Sequence, residues 1–156
     1  MSSKNVELAD AIVELLNRSQ AAEEEPYEFS FSAVRKAMPL TESELENLQT
    51  VEVMVFTGSV KAERRVQRGP AAFKRTYKPI VVIQRRLAEG TEEANLAIAD
   101  KLIKLSDQVS ARLLGRELKD LHFIGFDDAQ DRQEYNVEMM RDYGVFSVVR
   151  TFEYSD

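Results

Sequence analysis

The sequence predicts an α+β fold: a mainly antiparallel sheet of four to five strands, with one long helix and an N-terminal helix packed on it. Three observations predict it. Segments of helical and strand periodicity alternate without the regular strand–helix–strand units of a doubly wound fold. The longest helical segment carries one continuous apolar stripe, as a helix lying on a sheet requires. Finally, 156 residues, 44% hydrophobic and 31% charged, suit a single globular domain spanning residues 1–156.

The elements follow in order. From Asn5 to Asn17, Val6, Ala9, Ile12, Val13 and Leu16 recur at three- and four-residue spacing, with Glu7, Asp10 and Glu14 between them. This is an amphipathic helix. It ends before Pro26, which cannot continue a helix interior. Tyr27 to Ser32 alternates aromatic and polar residues, which predicts a half-buried strand running on through Val34 and Arg35. Pro39 breaks it, and Thr41 with Glu44 fits a capping box ahead of a short helical turn through Leu45 and Leu48. Val51 to Val60 is rich in β-branched residues and reads as a central strand.

Lys61 to Lys78 is long, basic and broken by Gly69-Pro70, and Tyr77 to Leu87 is again a strand. Strand, basic turn, strand predicts a protruding antiparallel hairpin over 61–78, longer at its tip than hairpins need. Thr91 is the expected N-cap of the longest helix, and Glu92 and Glu93 suit its positive end. Ile98, Leu102, Leu105, Val109 and Leu113 form its stripe, and Gly115 is the expected C′ residue. Leu121 to Phe126 predicts a short strand. Val145 to Tyr154 predicts the last one, with Phe146, Val148, Phe152 and Tyr154 on one face interrupted by Arg150.

Composition removes most chemistry. There is no cysteine and one histidine, His122, so thiolate catalysis and Cys- or His-rich metal sites are excluded. No dinucleotide-binding glycine motif, P-loop or GxSxG elbow occurs. His122, between Leu121 and Phe123, reads as a partly buried structural histidine. Asp127-Asp128-Ala129-Gln130-Asp131 fails as an EF-hand because its sixth residue is Arg132 and not glycine. No catalytic, cofactor-binding or metal-ligating residue is expected, and no cofactor. No apolar run reaches the roughly 20 residues a membrane span needs, and the N-terminus lacks the apolar region of a secretory leader.

Charge is the remaining signal. Nine basic residues against Glu63 alone give Lys61–Arg86 a charge of +8, so the rest of a chain of net charge −6 carries −14. Acidic clusters lie at Glu23-Glu24-Glu25, at Glu42, Glu44 and Glu46, and at Asp127, Asp128 and Asp131. The candidate interface residues are Lys61, Arg64, Arg65, Arg68, Lys74, Arg75 and Lys78. They can meet phosphates, with Phe73 and Tyr77 as stacking faces, or an acidic protein surface. The acidic remainder would repel a polyanion, which favours protein contact.

The order of these segments resembles the tail terminator proteins of tailed bacteriophages, a family of tail-completion and head–tail neck proteins. The resemblance runs from Val6 to Tyr154. It is carried by the N-terminal helix, the aromatic segment Tyr27-Glu28-Phe29-Ser30-Phe31-Ser32, the turn Met38-Pro39-Leu40 and Leu45 to Leu48. It continues in Val51-Glu52-Val53-Met54-Val55, the basic hairpin returning to Gln84-Arg85-Arg86-Leu87, the long helix and the aromatic last strand. It implies a noncatalytic virion protein of the tail or neck, assembled in the host cytoplasm. Such proteins form a homo-oligomeric ring, typically a hexamer, that caps the tail tube, stops its polymerisation and docks the head–tail connector. Membrane and direct nucleic-acid contacts are not part of that role. The neighbouring readings are a head-completion or neck adaptor of the same virion, and a nucleic-acid-binding module using the hairpin. A carboxylate–metal hydrolase is a more distant third.

Overall fold

The computed structural model describes residues 3–18, 26–46, 48, 50–64, 73–87, 90–126 and 144–156. Helix α1 spans Lys4–Arg18 and strand β1 Ala33–Arg35. The short helix α2, Glu42–Glu46, precedes β2, Glu52–Phe56, and β3, Val60–Arg64. Strands β4, Phe73–Tyr77, and β5, Ile80–Arg86, lead to helix α3, Glu92–Leu113. Strands β6, His122–Phe126, and β7, Val145–Ser155, follow. The fold is α+β, with seven strands in one sheet among the described residues.

The seven strands occupy five lanes. Strands β4 and β5 keep one register against β7: Tyr77 faces Tyr154 and Ile80 faces Thr151. They are one strand interrupted at Lys78 and Pro79. Strands β2 and β3 return along a second lane, with Phe56 opposite Ile80 and Val60 opposite Tyr77. Residues 57–59 thus face only residues 78–79, which is a β-bulge. Pro79 can accept but not donate in this ladder: its carbonyl accepts from the Phe152 N–H at 3.0 Å. Across the sheet the lanes run β1, β2/β3, β5/β4, β7 and β6. Among the described residues all pairings are antiparallel except β1 with β2.

Both long helices cover one face. Leu8, Ile12 and Leu16 of α1 and Leu102, Leu105, Val109 and Leu113 of α3 pack on Val53, Val55, Val81, Ile83, Val148, Phe152 and Tyr154. Their anchors are local. The Thr91 hydroxyl accepts from the Ala94 N–H at 3.2 Å, and Gly115 beyond the end has φ +71°, a left-handed conformation that suits glycine. On the opposite face Met54, Gln84, Ser147 and Thr151 are buried. There Leu45, Leu48 and Leu40 pack on Val145. The capping box of α2 forms: the Thr41 N–H donates to the Glu44 carboxylate at 3.2 Å, and the Glu44 N–H donates to the Thr41 hydroxyl at 3.3 Å.

Two expectations are corrected. Tyr27 to Ser32 is not a strand; the strand is Ala33–Arg35, and it runs parallel to β2. The aromatic alternation has another use. The Tyr27 and Phe31 rings meet at 5.0 Å, while the guanidiniums of Arg112 and Arg85 lie 5.1 and 5.2 Å from the ring centres of Tyr27 and Phe29. The backbone is held by a side chain from α3: the Glu28 N–H donates to Gln108 Oε1, and Gln108 Nε2 donates to the Pro26 carbonyl. The second correction concerns Val51 to Val60, which is divided by the bulge at 57–59 into β2 and the start of β3.

Candidate interface: the basic hairpin

Strands β3 and β4 pair antiparallel from Val60 opposite Tyr77 to Arg64 opposite Phe73. Every residue of β3 is exposed. Only Thr76 and Tyr77 at the base of β4 pair with β7, so the ribbon extends beyond the sheet along most of its described length. Its root is fixed by the Gly58 bulge. The Asn5 side-chain amide donates to the Gly58 carbonyl at 3.1 Å, and the Lys78 N–H donates to the Ser59 carbonyl at 3.0 Å.

Directly opposed residues share a face and successive residues alternate, so the ribbon has two distinct sides. One carries Lys61, Glu63, Lys74 and Thr76, continuing into Lys78 and Glu153. The other carries Val60, Ala62, Arg64, Phe73, Arg75 and Tyr77.

On the lysine side both glutamates are paired with lysines. Lys61 Nζ lies 2.9 Å from Glu63, and Glu63 stands directly opposite Lys74. The hydrogen bond from Lys61, then the charges of Lys61 and Lys74, hold the Glu63 carboxyl below its usual range. Lys78 Nζ lies 3.3 Å from Glu153. The arginine side differs. Arg75 approaches Asp156 at 3.9 Å, while its N–H donates to the Asp156 carboxylate at 2.9 Å. Arg64 has no ion-pair partner among the described residues. Beside these guanidiniums two apolar side chains face solvent, Phe73 at 46% and Val60 at 45% exposure.

Of the seven candidate residues, the structure brings together Lys61, Lys74 and Lys78 on one side and Arg64 and Arg75 on the other. Arg65 and Arg68 lie outside the described residues, as do Glu23-Glu24-Glu25 and Asp127 to Asp131. Composition did not single out Glu153 and Asp156, which come from the last strand and partner the hairpin. Only the register of β4 on β7 reveals them. His122 is exposed rather than partly buried, with Nδ1 2.9 Å from the Glu117 carboxylate. Strand β6 is the outer lane and turns His122 to the face that α1 and α3 leave open. Among the described residues no three His, Asp or Glu side chains converge on a point that would hold a metal ion. No helix there is long and apolar enough to cross a membrane. No family model matches the chain, and no curated protein matches it.

Proposed function

We propose that this chain is a noncatalytic structural subunit of the tail terminator kind. It assembles head to tail into a ring that caps a phage tail tube and offers a docking surface to the head–tail connector. The observation carrying this reading is the hairpin: a two-stranded ribbon rooted by a glycine bulge, with solvent-facing arginines and apolar side chains on one side. Exposed apolar groups rimmed by arginine are the composition of protein–protein contact centres. A ring needs two unlike surfaces on each subunit, and the +8 segment against a −14 remainder supplies unlike surfaces.

The nucleic-acid reading draws on the same guanidiniums and on Phe73, but Glu63, Glu153 and Asp156 stand among the cations and would repel phosphates. Electron microscopy of the purified protein tests the proposal. Closed rings of uniform diameter are expected, and Arg64→Glu/Arg65→Glu abolishes them. Dispersed monomers, or duplex DNA retarded in a gel at low salt with affinity falling steeply as salt rises, would contradict it.

A further inference from the structure

The first ten residues of α3, 92–101, contribute no buried side chain, and burial begins at Leu102. At about 1.5 Å per residue this is ~15 Å of helix, whose half-buried Ile98 and Ala99 pack against the core. Leu96 in this stretch is 54% exposed. Residues three and four apart are neighbours on a helix, so Glu92, Glu93 and Asp100 frame Leu96. Among the described residues none of the three carboxylates has an ion-pair partner.

This patch is the counterpart of the hairpin's arginine side. One is an exposed leucine ringed by carboxylates. The other is an exposed phenylalanine with Arg64 directly opposite and Arg75 two residues along. The topology sets them at opposite ends of the molecule. Helix α3 begins a few residues after Arg86, which pairs with Val145 at one end of β7, whereas the hairpin stands beyond Ser155 at the other. Phe73 and Arg86 lie on one strand lane, about 40 Å apart at ~3.3 Å per residue. The two patches of one chain therefore cannot meet, while those of two copies can. A contact between unlike ends repeats from copy to copy.

We propose that the Glu92–Glu93–Leu96–Asp100 face of α3 receives the Arg64–Phe73–Arg75 face of the hairpin of a second copy. The inference rests on the self-assembly proposed above and names the two surfaces that would meet.

Charge reversal with complementation tests it. One variant is Arg64→Glu/Arg75→Glu, the other Glu93→Arg/Asp100→Arg. All four side chains are exposed, and circular dichroism checks that each variant folds. Light scattering should find each variant alone at the 17.8 kDa monomer mass. Their equimolar mixture should assemble, with the two variants alternating, because each hairpin then meets a helix of opposite charge on the other variant. The fourfold variant, with both signs exchanged, should assemble again. A helix variant that assembles like the unaltered protein overturns this contact and leaves the ring reading standing. A mixture of folded variants that stays monomeric also overturns the contact. An unaltered protein that is monomeric at every concentration overturns both proposals.

Discussion

Gly58 shows how much one missing side chain decides. A Cβ at this position would overlap the Lys78 carbonyl oxygen, a backbone atom whose own neighbours are fixed in the sheet. Gly58→Ala should therefore destabilise the protein by at least about 1–3 kcal/mol, read as a lower midpoint in urea, with the loss concentrated at the hairpin root. An unchanged midpoint would mean that the bulge adapts. Tyr154 makes the opposite case. Its side chain is fully buried, yet its hydroxyl has no hydrogen-bond partner among the described residues. Burial also holds the phenol well above its usual pKa. An unsatisfied buried hydroxyl costs about 1–3 kcal/mol, so Tyr154→Phe should leave the melting temperature unchanged or raise it. A marked fall would reveal a bonded hydroxyl. Arg150 breaks the apolar alternation of the last strand for a related reason: its guanidinium reaches the buried Ser106 hydroxyl of α3 at 3.4 Å.

At the scale of elements, local chemistry was legible wherever it was self-contained. The stripe of α3, its Thr91 cap, the glycine after its end and the Thr41–Glu44 box can all be read from neighbours within a turn or two. The aromatic segment at Tyr27 could not be read this way. Its partners, Gln108, Arg112 and Arg85, are distant in sequence, and they satisfy by side-chain contacts what a strand would satisfy by backbone pairing. The break between β2 and β3 was hidden for a similar reason, since it exists only relative to Lys78 and Pro79 opposite. The expected four to five strands correspond to the five lanes, two of which are interrupted. Edge protection is visible at β1, where the Asn17 side chain donates to the Ala33 carbonyl at 3.0 Å and accepts from the Ala33 N–H at 2.7 Å. It occupies the backbone groups that an intruding strand would use. Asn17→Ala should cost about 1–3 kcal/mol for these two bonds and increase aggregation on heating. Unaltered stability and solubility would show that water replaces the amide without loss.

For the whole molecule, composition revealed that positive charge is concentrated in one segment, but not that the segment has two unlike sides. Alternation along paired strands creates that division: lysines with glutamates on one side, arginines with apolar groups on the other. Nor did composition reveal that the acidic half of α3 stands at the far end of the sheet from the hairpin. Within one chain these ends only set up a dipolar charge distribution. Between chains they become complementary, and screening acts on them directly, since the Debye length falls from ~10 Å at 0.1 M salt to ~3 Å at 1 M. The measurement closest to the central claim is the solution mass by light scattering, over a range of protein concentrations at low and high salt. One closed species of about six subunits is expected at low salt, dissociating towards the 17.8 kDa monomer at high salt. A mass of 17.8 kDa at every concentration in low salt, or an assembly indifferent to salt, would contradict it.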